Sequence, residues 1–505
     1  MLSRLLLGAA ALIASGPTVA AWHKASTAHF VIYADDSPAK LRDFATRLEK
    51  FDKAVRQVRG MADPPMGDGN RLTVIVVPTV SDVQKLAAHK PWAMTKLAGF
   101  YQPSAEGSIA IVPRKSNDTR MGDFADAETF FHEYAHHLMY YDLAAATPLW
   151  YSEGFAEFMS TASFGKDGSV MLGRPALGRA HAVDDKSTFP LERMLAGKYE
   201  KLTDDEWGAL YARGWLLTHY LTFEKTRKGQ IERYLEDVSV GKDSLQAAQL
   251  AFGDFKALDR NLHGYLGRSR ISVVKVAPEA LPIGPVTVEP LSAGGGEIMP
   301  LRTRLKIGVA DSEKKALADQ IRAVAARYPA DPLVQVTLAE AEYKASQYAA
   351  TEVAADRALV ADARLIEAMI FKGQAIMERA ANGDKDATFA AARGWFQKTN
   401  KLDPEDPEPL MLFHRAQVRD TGRATANSIA ALHYAANLAP QDFGLRMQSA
   451  YQYLQDNKLA EARKTLVPVA YSPHGGGTAS AARTAIERID AGDSKGAENA
   501  MRSGN

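Results

Sequence analysis

Five consecutive residues, His132-Glu133-Tyr134-Ala135-His136, carry the clearest chemical pattern in this chain. On a helix, positions i and i+4 stack on one face, so both imidazoles can reach a single metal ion. Glu133, beside the first histidine, then lies close enough to act as a base on a water held at that ion. Histidine is scarce, 12 in 505 residues, so chance produces this spacing on the order of once in a hundred such chains.

The flanks favour a helix. Ala127 to Tyr141 contains neither proline nor glycine, and Asp126 or Asp123 can cap its start. Phe131, Ala135, Leu138 and Met139 place apolar side chains at helical spacing, which would bury the helix and fix the rotamers of its ligands. His137 points away from the metal face and reads as a surface or supporting histidine.

A hydrolytic metal site needs a third protein ligand and an open position for water. Pro148 to Ser160 offers Glu153 and Glu157, again an i, i+4 pair, among Trp150, Phe155, Ala156, Phe158 and Met159. Carboxylates in so apolar a stretch are costly unless paired or metal-bound. One is expected to bind metal and the other to hydrogen-bond a ligand histidine; spacing alone does not say which.

The histidine motif followed by Trp150-x-x-Glu153-Gly154-x-Ala156 resembles the layout of gluzincin metallopeptidases, the aminopeptidase-N-like enzymes and bacterial peptidase MA-like proteins. The resemblance implies an α+β zincin-like catalytic domain with one Zn2+ per chain. His132, His136 and Glu153 would be its ligands, Glu133 the catalytic base, and Glu157 the partner of a ligand histidine. The interval of 16 residues between His136 and Glu153 is slightly shorter than the aminopeptidases use.

Downstream, Tyr211-Ala-Arg-Gly214 is similar to the family's Tyr-x-Lys-Gly element, with arginine in place of lysine. That implies Tyr211 as the second catalytic residue, donating to the oxyanion. His219 is the alternative oxyanion donor, because other gluzincins use a histidine for this task. The family's Gly-x-Met-Glu-Asn element, which binds a free amino terminus, has no counterpart here. The strand candidate Gly107 to Pro113, expected to lie along the substrate, contains no glutamate. An endopeptidase or oligopeptidase therefore fits better than an aminopeptidase.

The remaining sequence bounds this reading. A net charge of +1 gives no reason to expect nucleic acid as a partner. Absence of cysteine excludes disulfides, thiolate ligands and a cysteine nucleophile. Met1 to Arg4 is a short basic start, Leu5 to Ser15 an apolar core, and Val19-Ala20-Ala21 a small-residue cleavage site. Residues 1–21 thus read as a signal peptide, which places the mature chain in the periplasm or outside the cell. No later stretch reaches 18 apolar residues, so no stable membrane insertion is expected.

Residues 22–270 form the expected zincin-like domain, opening with a strand at His29–Tyr33, a helix from Ser37 to Gly60, and strands at Leu72–Val77 and Ser108–Val112. Residues 271–309, rich in proline and glycine, read as a linker or small β-rich bridge. Residues 310–490 are alanine-rich and punctuated by Tyr328-Pro-Ala-Asp-Pro332, Leu402-Asp-Pro404, Leu438-Ala-Pro440 and Tyr471-Ser-Pro473. The last two intervals, 36 and 33 residues, are near the tetratricopeptide period, so this half reads as an all-α, TPR-like helical repeat domain able to bind a protein partner. Residues 491–505 read as a flexible tail.

The function expected is an exported zinc peptidase acting on peptide or protein substrates. Two alternatives stand beside it: a zinc hydrolase of a non-peptide carbonyl substrate, and a TPR-type protein-binding scaffold with an inactive zinc domain.

Overall fold

The computed structural model describes residues 22–90, 99–115, 127–142, 147–175, 189–197, 199, 202–268, 270–472 and 476–503. The expected signal segment 1–21 and the cap candidates Asp123 and Asp126 lie outside these residues.

Local sequence signals build the first helix, α1 (Pro38–Arg59), as expected. Ser37 accepts a hydrogen bond from the amide of Lys40 at 3.4 Å, Pro38 is the first helical residue, and Gly60 ends the helix at φ 66°. Its stripe of Leu41, Phe44, Leu48, Phe51 and Val55 is buried, each large side chain contributing about 1.5–3 kcal/mol.

Nine strands form two sheets among the described residues. The first begins with β1 (Trp22–Ser26), β2 (Phe30–Asp35), β3 (Leu72–Thr79), β4 (Phe100–Gln102) and β5 (Ile109–Lys115). A second sheet joins β6 (Ser163–Phe164), β7 (Val170–Leu172) and β8 (Val274–Val276). The last strand, β9 (Thr287–Pro290), returns to the first sheet and gives it the order β4-β5-β3-β2-β1-β9. The β2–β3 and β3–β5 pairs are parallel, whereas β4, β1 and β9 join antiparallel.

Both faces of that sheet are covered. Ile32, Ala34, Val74, Val76 and Val112 pack with α1 and with α3 (Ala127–Asp142), the helix that carries the paired histidines. On the other face, Ile75, Val77 and Ile111 meet Val83 and Ala87 from α2 (Val80–Ala87), together with Ile307. The expectation that the Gly107–Pro113 strand lies along substrate needs correcting. β5 is interior, flanked by β3 and β4, and among the described residues β4 forms the edge. After α3 come α4 (Leu149–Ser160), which holds Glu153 and Glu157, and then the helix Asp204–Phe223, which holds Tyr211.

Two expectations about the second half also change. Residues 271–309, read as a linker or small β-rich bridge, do contain two strands, β8 and β9, but also an unexpected helix, Ala293–Ile307, that passes through Gly294, Gly295, Gly296 and Pro300. Burial of Ile298, Met299, Leu305 and Ile307 holds that helix despite its poor intrinsic propensity. The tail is not free either, because Ser494–Ser503 is helical with Ala497 and Met501 buried against the preceding helices.

From Ala293 to Ser503 the described residues form twelve helices, each packed on its chain neighbour. The first three punctuation points are turns between them. Asp331, Asp406 and Asp442 each cap the following helix by accepting from its first-turn amides.

These turns also receive the first half of the chain. The amide of Ala105 donates to Asp442 at 2.8 Å, Asn70 donates to the carbonyl of Leu438 at 2.7 Å, and Gly69 donates to Asp403 at 3.3 Å. Ala105 is buried among Ile370, Met377, Phe396 and Leu412. The helical second half thus uses part of its surface on a partner within the same chain. No helix among the described residues is long and apolar enough to cross a membrane.

Candidate metal centre

Two helices meet to bring the sequence-predicted ligands together. His132 Nε2 and His136 Nε2 lie 3.2 Å apart, and Glu153 Oε2 is 3.2 Å from the first and 3.4 Å from the second. Two donors bonded to one tetrahedral zinc ion at about 2.0–2.1 Å would sit about 3.3 Å from each other. The three atoms therefore already have the mutual spacing that such an ion imposes.

The surroundings favour positive charge at this point. Glu153 is fully buried and His136 nearly so. Burial by itself would lower the pKa of His132. Hydrogen bonds to Glu153 and Glu157, with the charges of Glu153 and Glu133, overcome it and raise the group from 6.5 to about 10. Metal binding would replace that proton.

Each of the two candidate ligand histidines is also held from behind. Glu157 Oε1 lies 3.4 Å from His132 Nδ1, which assigns the orienting role to the second carboxylate and the converging one to Glu153. Ser152 Oγ lies 3.3 Å from His136 Nδ1. Sequence reasoning misses Ser152; its only signal is its place beside Glu153 in an apolar helix.

Glu133 is half-buried. With Thr129 and Phe130 it lines a narrow cleft against Phe100, Tyr101 and Ile111 of β4 and β5. Tyr211 is also half-buried, its ring 5.8 Å from that of His132. A phenol so placed can donate to negative charge developing beside the ligands.

The helix that carries Tyr211 reaches this position through two glycines. A Cβ on Gly154 would fall 2.3 Å from the carbonyl oxygen of Gly214, and one on Gly214 would fall 2.6 Å from that of Trp150. The glycines of the Glu153-Gly154 and Tyr211-Ala-Arg-Gly214 elements are thus one helix crossing in backbone contact. Arg213, the residue that departs from the resembled pattern, donates to Asp259 at 2.7 Å and ties the same helix to the next layer.

His219 does not belong to this site. It lies eight residues beyond Tyr211, about 12 Å along the helix. Its Nδ1 pairs with the hydroxyl of Tyr265 at 2.9 Å, and Nε2 faces the carbonyls of Gly173 and Ser272, each at 3.0 Å. Full burial draws its pKa down to about 4. It is a satisfied core histidine.

Of the two places expected for His137, the structure gives the supporting one, since it is buried rather than at the surface. It stacks on Tyr134 and meets the Tyr101 hydroxyl at 2.6 Å, which links β4 to α3. A second group of potential ligands, His29, Asp52 and Asp63, lies behind α3. There Arg56 and Lys53 occupy the cation positions, at 2.8 Å from Asp52 and 2.7 Å from Asp63.

Compared with known proteins, the chain matches no family model and no curated protein.

Proposed function

We propose that the chain is a zinc-dependent peptidase of the gluzincin type, acting on exported or external peptides and cleaving within the chain rather than at its amino terminus. The convergence of His132 Nε2, His136 Nε2 and Glu153 Oε2, with Glu133 beside them, carries this reading. Two imidazoles and one carboxylate are a donor set that suits zinc and leaves a coordination position open. When bound, the metal supplies a Lewis acid that polarises the scissile carbonyl and makes a water nucleophilic near neutral pH.

The protein's residues do the rest. Glu133 takes the proton of the attacking water and delivers it to the departing amine. Tyr211 donates to the oxyanion as it forms. Glu157 and Ser152 hold the ligand histidines in one orientation. β4, an edge strand against the cleft, offers backbone groups to an extended peptide. Its described residues, Phe100, Tyr101 and Gln102, provide no carboxylate for a free amino terminus. A mixed sheet whose antiparallel edge strand lies beside the histidine helix supports a zincin-like assignment for the first half.

The test has two parts. Elemental analysis of the purified protein should find one zinc per chain, lost in Glu153→Ala. Glu133→Gln should keep the metal and lose hydrolysis of a peptide library; retained turnover in that variant would sink the mechanism.

A further inference from the structure

The cleft at Glu133 has two walls. One is β4, through Phe100 and Tyr101, and the other is α3, through Thr129, Phe130 and Glu133 itself. The Tyr101 hydroxyl crosses between them to Nδ1 of His137 at 2.6 Å. Beyond that bond, both walls are fastened to one short stretch of the helical half, residues 438–442. This stretch closes the helix Ala426–Leu438 and caps the helix Phe443–Gln455.

On the α3 side, the Tyr141 hydroxyl donates to the carbonyl of Leu438 at 3.3 Å, and Asn70 donates to the same oxygen at 2.7 Å. On the β4 side, the loop from β4 to β5 is held twice. Asp442 Oδ2 accepts from the amide of Ala105 at 2.8 Å, and Gln441 Nε2 donates to Ser108 Oγ at 3.3 Å. Ser108 passes this hold on to the strand. Its Oγ also accepts from the amide of Ser104 at 3.2 Å and lies 3.5 Å from the Tyr101 hydroxyl. Ala105, Ser108 and Gln441 are buried, so water does not stand in for a partner that is lost.

An extended peptide added to an edge strand lies about 4.8 Å from it. Such a peptide on β4 must also bring its scissile carbonyl to Glu133 on α3. The spacing of the two walls therefore decides whether both contacts form together.

We propose that Gln441 and Asp442 are positioning residues for the substrate, holding β4 at the distance from α3 at which an extended peptide reaches both. This rests on the peptidase reading and narrows its substrate class to peptides long enough to pair with the three residues of β4. The helical half then completes the substrate cleft of the first half without touching the substrate.

Full-length, zinc-loaded protein would be given two blocked substrates with one scissile pair, taken from a peptide-library screen: a dipeptide, and an octapeptide able to cover β4. Gln441→Leu removes the donor to Ser108. Asp442→Asn keeps Oδ1 as acceptor for the Leu445 amide but turns an NH2 group toward Ala105. Each should raise KM for the octapeptide about 10-fold with kcat nearly unchanged. Zinc content, and kcat/KM for the dipeptide, should stay as they are. Gln441→Leu placed on Ser108→Ala should add no further loss, because the bond is already gone. Octapeptide binding to Glu133→Gln protein, by calorimetry, should weaken by the same factor in the absence of turnover. Should Asp442→Asn fail to fold, Gln441→Leu and Ser108→Ala carry the comparison.

Equal losses on dipeptide and octapeptide, or no loss on the octapeptide, would overturn the positioning role and leave the peptidase reading standing. Unaltered, zinc-loaded protein that cleaves no peptide removes the peptidase reading, and the positioning role with it.

Discussion

The hydroxyl of Tyr134 donates to Oδ1 of Asp52 at 2.8 Å, joining the middle of the histidine motif to α1. Both side chains are buried, and Asp52 also holds Arg56 at 2.8 Å. Tyr134 separates Glu133 from Ala135, so it points away from the ligands and into the sheet-facing core. Its bond fixes the roll of α3 about its own axis, and that roll decides where both imidazoles point.

Tyr134→Phe should therefore cost stability without removing a ligand. A charged acceptor that loses its donor in a buried setting costs about 1.5–3 kcal/mol. Denaturant unfolding should show that loss, while zinc content at saturating metal stays at one per chain. An unchanged unfolding midpoint would contradict the anchoring role.

His29 gives this network a pH dependence. Burial opposes its charge, but the hydrogen bond to Glu49 and the charges of Asp52 and Glu49 outweigh both burial and Arg56, raising it from 6.5 to about 9. Asp63, from the loop after α1, faces its other nitrogen at 3.0 Å. A folded-state pKa above the unfolded value adds stability that is complete below the ordinary histidine pKa and lost as pH rises through about 9. Unfolding free energy should fall across that window by up to about 1.4 kcal/mol per pH unit. His29→Gln should flatten the slope; an identical slope in the variant would remove His29 as its source.

The crossing at Gly154 and Gly214 predicts an asymmetry among glycines. Gly154→Ala and Gly214→Ala force backbone against backbone and should separate Tyr211 from His132, lowering both melting temperature and turnover. Gly208 lies in the same helix as Gly214, and a Cβ added there would meet nothing within 4 Å. Gly208→Ala should instead add about 0.5–1 kcal/mol by its better helix propensity. Thermal melts of the three variants, read beside peptide hydrolysis, test the contrast.

Tyr211 and His219 should separate in kinetics. Tyr211→Phe removes a donor beside the ligands and should lower kcat about 10²–10³-fold with KM little changed. His219→Gln should reduce stability while the surviving folded fraction keeps its turnover. Steady-state kinetics normalised to bound zinc would distinguish the two, and a kcat loss larger in His219→Gln would reverse the assignment.

Much of this is legible in the chain where local rules and tertiary needs agree. Ser37, Pro38 and Gly60 mark both ends of α1 because caps act within a few residues. The three candidate ligands are readable because i, i+4 spacing and a glutamate in an apolar stretch have few other uses. Between Glu153 and Glu157, residue spacing is silent, and only the crossing of α3 and α4 separates the ligand from its support.

The helix Ala293–Ile307 is hidden because its glycines and proline argue locally for a break. A Cβ on Gly294 would come within 2.7 Å of the ring of Tyr328, so close packing explains the small residue there. His219 is misplaced by sequence because its type and distance from the motif say nothing about which face of the helix it takes. The docking of Ala105 and Asn70 onto the repeat turns joins residues more than 300 positions apart, beyond the reach of any local pattern.

β1 pairs with β9, so His23 lies opposite Pro290. While the chain is being synthesised, β1 can be present for roughly 15 to 50 s before its neighbour exists, at about 5–20 residues per second. Throughout that interval an open strand edge faces other nascent chains, the geometry that seeds intermolecular pairing. Whatever accompanies this protein as it is made has that edge to guard, and a message truncated near residue 270 would leave it open for good.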